Sequence, residues 1–231
     1  LILLDYDGTL VFFSDKPERA KPDAELLQLL SLLSRDERNE VVIISGRDKE
    51  TLDRWFGQMP LGLIAEHGVW IKEEGMGWEM IEPLQGDWKE EIRPILEQYM
   101  DRTPGSFVEE KEFSLVWHYR KADPELASLR ARELKDALLH LTANLDLTVL
   151  EGSKVLEIKN LEVNKGRAAM RWISKEEWGF ILAIGDDLTD EDLFAVLPPE
   201  AYSIKVGLGP SKSRFNLDSP SEVRLLLGEL I

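Results

Sequence analysis

Apolar residues occur in short unbroken runs along the first part of the chain. Residues 1–4 and 41–44 are wholly apolar, which predicts strands buried on both faces of a parallel sheet. Between these runs, leucines at helical spacing follow Asp23 and predict an amphipathic helix with one apolar face. Because strands alternate with helices, the pattern indicates parallel βαβ units joined by right-handed crossovers.

The middle of the chain has a different pattern. Residues 113–120 alternate apolar with polar positions, which predicts a half-buried strand, and a helix is predicted to open at Asp123. The alternation of buried strands and helices resumes at Asn164. We therefore expect an α/β fold in which a Rossmann-like parallel-sheet core carries an inserted α+β cap domain. The predicted core comprises residues 1–86 and 160–231, and the predicted cap comprises residues 87–159.

Composition narrows the classes of partner. The 231 residues carry a formal net charge of −16, which argues against nucleic acid or an anionic membrane as the main partner. No apolar run is long enough to span a bilayer, and no signal-peptide pattern occurs. Cysteine is absent, so disulfides and thiolate metal sites are excluded, and we expect a cytoplasmic location. Since Leu1 is not methionine and already lies in the first predicted strand, we expect a segment of a longer polypeptide.

Polar side chains stand directly after three of the predicted buried strands. They are Asp5 and Asp7, then Ser45, then Asp186 and Asp187. The carboxyl ends of parallel strands meet at one edge of a sheet, where open α/β sheets bind their ligands. Several carboxylates at such an edge suit Mg²⁺, which prefers oxygen ligands and also contacts phosphate oxygens.

A phosphate group would find partners at the same edge. Ser45 offers a hydroxyl, Gly46 offers a backbone N–H, and Lys165 adds a positive charge where a helix begins. Together with the carboxylates and a metal ion, these groups indicate phosphoryl transfer. Taken singly they have simpler interpretations, since Asp-x-Asp-Gly also occurs in turns and calcium loops and most lysines are solvated. For Arg47 we expect a structural salt bridge.

Four segments, in order along the chain, resemble the motifs of phosphatases of the haloacid dehalogenase superfamily. They are Asp5-Tyr-Asp7-Gly-Thr-Leu, Ile-Ser45-Gly-Arg, Asn164-Lys165-Gly and Gly185-Asp-Asp-Leu-Thr-Asp190-Glu. Further stretches resemble trehalose-6-phosphate phosphatases, most closely the phosphatase domain of bifunctional trehalose-phosphate synthase/phosphatase proteins. These stretches are Ala65-Glu66-His67-Gly68, Trp117-His118-Tyr119-Arg120 and Val155-Leu156-Glu157-Ile158. The resemblance covers essentially the whole chain.

The resemblance implies a catalytic role for both aspartates of the first motif. Asp5 would be the nucleophile that forms an aspartyl-phosphate intermediate. Asp7 would protonate the leaving sugar oxygen and then deprotonate the attacking water. Asp5, Asp186 and the backbone carbonyl of Asp7 would hold the Mg²⁺ ion.

The other motifs would bind and orient the phosphoryl group. The resemblance implies that Ser45, Gly46 and Lys165 contact it, that Asp190 orients Lys165, and that Asp187 lies nearby in a supporting role. The helix dipole favours acidic residues at an N-terminus, which is a simpler interpretation for Asp187, Asp190, Glu191 and Asp192 and the one we expect for the last two.

The inserted module would be a cap that closes over the sugar. We expect sugar contacts from Glu157, Lys111 and Glu66, and further contacts from His118 and Arg120, which strand alternation places on one face. A plainly solvated sheet face is the alternative, and His118 could be a structural hydrogen-bonding residue.

The resemblance thus implies an Mg²⁺-dependent phosphomonoester hydrolase that converts trehalose 6-phosphate to trehalose and phosphate. Its partners would be the sugar phosphate and a trehalose-phosphate synthase domain or subunit. Two alternatives remain at this stage. One is a phosphatase for sucrose phosphate or another sugar phosphate, and the other is a non-catalytic domain that binds the sugar phosphate and regulates a synthase.

Overall fold

The computed structural model describes residues 1–14, 17–81, 87–152 and 154–231, and these residues contain twelve β-strands and seven α-helices. The strands are β1 (Ile2–Asp5), β2 (Val41–Ile44), β3 (Gly62–Ala65), β4 (Trp70–Lys72), β5 (Glu79–Met80), β6 (Phe107–Glu110), β7 (Ser114–His118), β8 (Leu147–Gly152), β9 (Val155–Asn160), β10 (Leu182–Gly185), β11 (Tyr202–Val206) and β12 (Phe215–Leu217). The helices are α1 (Ala24–Arg35), α2 (Lys49–Phe56), α3 (Trp88–Asp101), α4 (Pro124–Thr142), α5 (Lys165–Ile173), α6 (Asp190–Val196) and α7 (Pro220–Gly228).

The described chain divides into two compact units. One comprises Leu1–Ile81 with Asn164–Ile231, and the other comprises Glu82–Val163. The division lies a few residues from the predicted limits, 1–86 with 160–231 and 87–159. Among the described helices, none combines the length and the apolar character needed to cross a membrane.

An eight-stranded mixed sheet organises the first unit, in the order β12-β11-β10-β1-β2-β3-β4-β5. The strands from β12 to β3 are parallel, and β4 and β5 continue the sheet antiparallel at one edge. Successive side chains of the central strand β1 point to opposite faces. Ile2 and Leu4 pack with α1, α2 and α7, whereas Leu3 packs with α5 and α6. This is the predicted α/β architecture, with helices on both faces of a largely parallel sheet, and it explains why residues 1–4 are all apolar.

The second unit is the predicted α+β module. Its four antiparallel strands have the order β6-β7-β9-β8. One sheet face packs against α3 and α4 and contributes the buried residues Leu115, Trp117 and Leu156. On the other face, strand alternation places polar residues, among them His118 and Glu157.

Candidate active site

Three neighbouring strands bring their carboxyl ends together at one edge of the first unit's sheet. Asp5 is the last residue of β1 and lies opposite Ile44 of β2, so that Ser45 follows beside it. On the other side, β1 pairs with β10, which ends one residue before Asp186. Carboxylate oxygens of Asp5, Asp186 and Asp190 all lie within 4.8 Å of one another. The parallel topology therefore produces an acidic cluster at this edge; Asp5 and Asp186 belong to it as expected, and Asp190 takes the place expected for the side chains of Asp7 and Asp187.

Asp5 combines burial with one hydrogen-bonded and one unbonded oxygen. The residue is only 4% exposed, and its Oδ1 accepts a hydrogen bond from Lys165 Nζ at 2.6 Å. Within the described residues, its Oδ2 is buried and has no hydrogen-bond partner. Burial, and then repulsion from Asp190, raise the pKa of Asp5 well above its usual value, against the opposing effect of Lys165. A buried carboxylate oxygen without a partner is costly, so this atom is suited to a cation or an electrophile.

Lys165 lies between two carboxylates at the first position of α5. Asn164 caps this helix, because its side chain accepts the N–H of Arg167 at 2.7 Å. The Lys165 Nζ donates to Asp5 at 2.6 Å and to Asp190 Oδ1 at 2.8 Å. Burial by itself would lower the pKa of Lys165, but Asp190 and Asp5 outweigh it and raise that pKa. The ammonium group therefore stays charged inside the protein.

Asp190 uses both carboxylate oxygens within the protein. In addition to the bond from Lys165, its Oδ2 accepts the backbone N–H groups of Asp186 and Asp187, both at 3.0 Å. These bonds fix the turn after β10. Asp187 is exposed, and its Oδ1 accepts the N–H of Leu188 at 2.6 Å.

Asp186 is held from two sides. Thr9 Oγ1 lies 3.4 Å from its Oδ1, and Lys205 Nζ donates to its backbone carbonyl at 2.5 Å. Gly8 has a φ of +86°, and a Cβ there would overlap the Asp186 carboxylate, so only glycine permits this close approach. Burial and then repulsion from Asp190 raise the pKa of Asp186 to about 7.

The donor set fits a divalent cation. Asp5 presents a buried oxygen and Asp186 a partly buried carboxylate, and a cation would relieve the repulsion between them. Both oxygens of Asp190 already accept hydrogen bonds within the protein. A site made only of oxygen ligands suits a hard divalent cation better than a softer metal.

The Asp7 carboxylate lies outside this cluster and pairs with Arg47. Arg47 Nε donates to one oxygen at 2.7 Å and Nη2 donates to the other at 2.6 Å. The guanidinium group also lies over the rings of Trp55 and Tyr6, 4.8 and 5.6 Å from their centroids. The sequence predicted a salt bridge for Arg47 but not its partner.

The loop after β2 is tied to the loop after β3. Ser45 is 1% exposed and its Oγ accepts the N–H of Arg47 at 3.2 Å. The N–H groups of Glu66 and His67 donate to the carbonyls of Arg47 and Ser45, at 2.9 and 3.0 Å. Glu66 and His67 both have left-handed backbone, with φ of 48° and 57°. The His67 imidazole lies so close to Gly46 that a Cβ there would overlap it. His67, to which the sequence analysis assigned no role, therefore supports the Ser45 loop.

In the second unit, the polar sheet face carries three of the predicted sugar contacts. Glu157 lies on it, and Lys111 Nζ is 3.8 Å from Glu157 Oε1. His118 Nε2 lies 2.7 Å from Glu109 Oε2, and its ring stacks on Phe107 with centroids 4.5 Å apart. Strand register places Glu109 on this face as well, since Glu109 and Glu157 both pair with Val116.

Sequence reasoning did not select Glu109, because β6 shows no apolar alternation that would reveal a strand. Arg120 lies beyond the end of β7 and is exposed, so the strand does not fix its direction.

The sequence matches the family model for trehalose-phosphatase over residues 3–221. The chain belongs to this family. The part of the chain that matches the trehalose-phosphatase model includes Asp5, Asp186 and Asp190, together with Lys165 and the loop at Ser45.

Relatives of this chain include longer proteins. It is 41% identical over 230 residues to the bifunctional trehalose-6-phosphate synthase/phosphatase of Thermoproteus tenax, a match that covers 100% of this chain and 32% of that protein. It is 41% identical over 217 residues to a trehalose-phosphatase of Zygosaccharomyces rouxii, covering 84% of this chain and 24% of that protein. The chain thus spans about a quarter to a third of the length of these curated relatives.

Solved structures show the same fold. The C-terminal domain of C. albicans trehalose-6-phosphate phosphatase superposes with a TM-score of 0.94 at 33% identity, covering 99% of this chain and 91% of that chain. A haloacid dehalogenase-like hydrolase from B. subtilis has a TM-score of 0.69 at 14% identity, with 100% and 99% covered. At such low identity the second likeness shows the fold alone, which is the fold that the four sequence motifs predicted.

Proposed function

We propose that this chain is an Mg²⁺-dependent phosphatase that hydrolyses trehalose 6-phosphate to trehalose and phosphate through an aspartyl phosphate on Asp5. The observation that carries this proposal is the state of the Asp5 carboxylate. It is buried at the carboxyl end of the central strand, fixed through Oδ1 by Lys165, and unbonded at Oδ2 within the described residues. In such a carboxylate one oxygen is fixed by a hydrogen bond, and the other is available as a nucleophile or a metal ligand. The C. albicans and Z. rouxii relatives carry the trehalose-phosphatase name.

In this proposal the reaction has two steps, transfer of the phosphoryl group to Asp5 and then its transfer to water. In the first, an Asp5 oxygen forms a bond to phosphorus while the bond from phosphorus to the sugar oxygen breaks. The leaving oxygen takes the electron pair of that bond and receives a proton from the Asp7 carboxyl group. In the second, a water molecule gives a proton to Asp7 and attacks phosphorus, so that phosphate leaves and the Asp5 carboxylate is restored.

Charge neutralisation supplies much of the catalysis in phosphoryl transfer. Asp5, Asp186 and the backbone carbonyl of Asp7 would hold the Mg²⁺ ion, which when bound neutralises charge on the phosphoryl oxygens. Ser45, Gly46 and Lys165 would bind those oxygens. Because Asp190 fixes both Lys165 and the turn that carries Asp186, its role is to hold these two groups in register.

The sugar would be recognised by polar side chains of the cap and of the loop after β3. Lys111, His118 and Glu157 share one face of the cap sheet, and several hydroxyl groups of a disaccharide require such partners. Arg120 and Glu66 complete the set as further candidates. A synthase domain or subunit as partner, and the cytoplasmic location, remain predictions.

Phosphate release from a panel of sugar phosphates tests the proposal. With Mg²⁺ we expect turnover of trehalose 6-phosphate to exceed that of sucrose 6-phosphate and glucose 6-phosphate. Equal rates across the panel would contradict the substrate assignment. Binding of trehalose 6-phosphate in calorimetry without any turnover would instead establish the non-catalytic, regulatory alternative.

A further inference from the structure

The resting position of the Asp7 carboxylate is set by Arg47. Among the described residues, the carboxylate cluster consists of Asp5, Asp186 and Asp190, and the Asp7 side chain is not part of it. Instead, both Asp7 oxygens accept hydrogen bonds from Arg47, at 2.7 and 2.6 Å. A two-point bond between a guanidinium group and a carboxylate fixes direction as well as distance.

Arg47 is itself held in place and cannot readily follow a moving partner. Its side chain is 14% exposed, and its guanidinium group lies over Trp55 and Tyr6. The Tyr6 hydroxyl in turn donates to the carbonyl of Ala20 at 2.7 Å. The Arg47 backbone is bound at both ends, since its N–H donates to Ser45 Oγ and its carbonyl accepts the N–H of Glu66.

We propose that Arg47 is a positioning residue for the proton transfers of Asp7. The inference rests on the proposed phosphatase function. Arg47 keeps the Asp7 carboxylate outside the metal-binding cluster, in a fixed position beside the end of β1. The two-point pair is the form of Asp7 that takes a proton from water; when Asp7 carries a proton, one oxygen donates it and the other still accepts from Arg47, which keeps the direction of the group. Without Arg47, Asp7 is free to adopt other rotamers, and proton transfer becomes slow although the nucleophile is intact.

The choice of leaving group distinguishes this role from a general structural one. The trehalose oxygen needs a proton as it leaves, whereas nitrophenolate is a stable anion and leaves without one. The first chemical step on p-nitrophenyl phosphate therefore depends on Asp5 and the phosphate-binding groups but not on the acid. A rapid-mixing experiment that follows the first turnover separates this step from the hydrolysis of the intermediate.

The experiment compares wild-type protein with Arg47→Met and Arg47→Lys, with Mg²⁺ present. For Arg47→Met we expect the first-turnover release of trehalose to slow by at least about tenfold, within the range of acid catalysis. The first-turnover release of nitrophenolate should change less than about threefold. The KM of each of the two substrates should also change less than about threefold. Arg47→Lys keeps a cation but loses the two-point bond, so we expect partial recovery. The matched control is Arg54→Met, which removes an exposed arginine from α2, the helix that begins two residues after Arg47. This variant should behave as the wild type.

Equal slowing of both first turnovers, or slowing of neither, would overturn the positioning role. If Arg47→Met does not fold, by circular dichroism and thermal melting, the same ratio of the two rates in Arg47→Lys decides the question. A wild-type protein that releases neither trehalose nor nitrophenolate would refute the proposed function itself, and the inference with it.

Discussion

One buried lysine offsets part of the negative charge of the carboxylate cluster. Lys165 is 2% exposed and contacts both Asp5 and Asp190, so its removal leaves two buried carboxylates without their cation. We expect Lys165→Met to lower the free energy of unfolding by about 3–5 kcal/mol, because breaking a buried ion pair leaves the remaining charges buried without a partner. Denaturant unfolding measures this change. Lys212→Met removes an exposed lysine and should change stability by less than about 0.5 kcal/mol; an equal loss in both variants would contradict the argument.

The nucleophile assignment can be separated from any effect on folding. Asp5→Asn keeps the size of the side chain and an oxygen that can accept from Lys165, but an amide is not a nucleophile toward phosphorus. We expect turnover to fall below detection while circular dichroism stays as in the wild type. Mass spectrometry of the variant is the control, since deamidation would regenerate aspartate. Appreciable turnover by undeamidated protein would refute Asp5 as the nucleophile.

Two contacts at the site were beyond the reach of sequence reasoning. The sequence predicted a salt bridge for Arg47, yet its partner, Asp7, depends on how the loops after β1 and β2 fold toward each other. Lys205 reaches the carbonyl of Asp186 from the adjacent strand β11. A lysine within an otherwise apolar strand end was the available signal for it, but only the strand order tells which carbonyl it meets.

The start of helix α2 determines where the Ser45 loop ends. Asp48 caps this helix by accepting the Thr51 N–H at 2.7 Å and its hydroxyl at 2.8 Å. We expect Asp48→Ala to lower the free energy of unfolding by about 1 kcal/mol, because it removes an N-cap. Asp48→Asn retains a capping oxygen and should be nearly neutral.

Glu50→Ala provides the charge control for this prediction. It removes an exposed acidic side chain from the first turn of α2 without touching the cap. A loss as large as that of Asp48→Ala would show that the helix dipole, and not the cap, accounts for the effect. Thermal and denaturant unfolding of the three variants decide between them.

Strands in the centre of the sheet were predictable, whereas the two edge strands β6 and β12 were not. The four residues of β2 are fully buried, so their apolar run is visible in the sequence. By contrast, the strand Phe107–Glu110 has two glutamates and is largely exposed, and Phe215–Leu217 is a short edge strand with two exposed residues. Because an edge strand buries little surface, its own sequence need not show an apolar pattern. Such a strand is defined by its hydrogen bonds to the neighbouring strand.

At the scale of the whole molecule, the carboxylates proposed to bind a metal ion all belong to one of the two units. A ligand that binds only the folded state stabilises it, by about 2.7 kcal/mol at one hundred times its Kd. We therefore expect Mg²⁺ to raise the melting temperature of the unit that contains Asp5 and Asp186. Asp186→Asn should lose most of this rise, since it removes one of the two available carboxylates.

Hydrogen exchange measured by mass spectrometry locates the effect along the chain. Mg²⁺ draws together groups at the ends of β1 and β10, so the amides of these strands should exchange more slowly when it is present. Strand β7, in the other unit, contributes no ligand to the cluster and should exchange at an unchanged rate. Ca²⁺, which requires more ligands and longer bonds, should protect β1 and β10 less at the same concentration. Protection spread evenly over both units would point to a general salt effect, and it would remove the support for a metal site at Asp5 and Asp186.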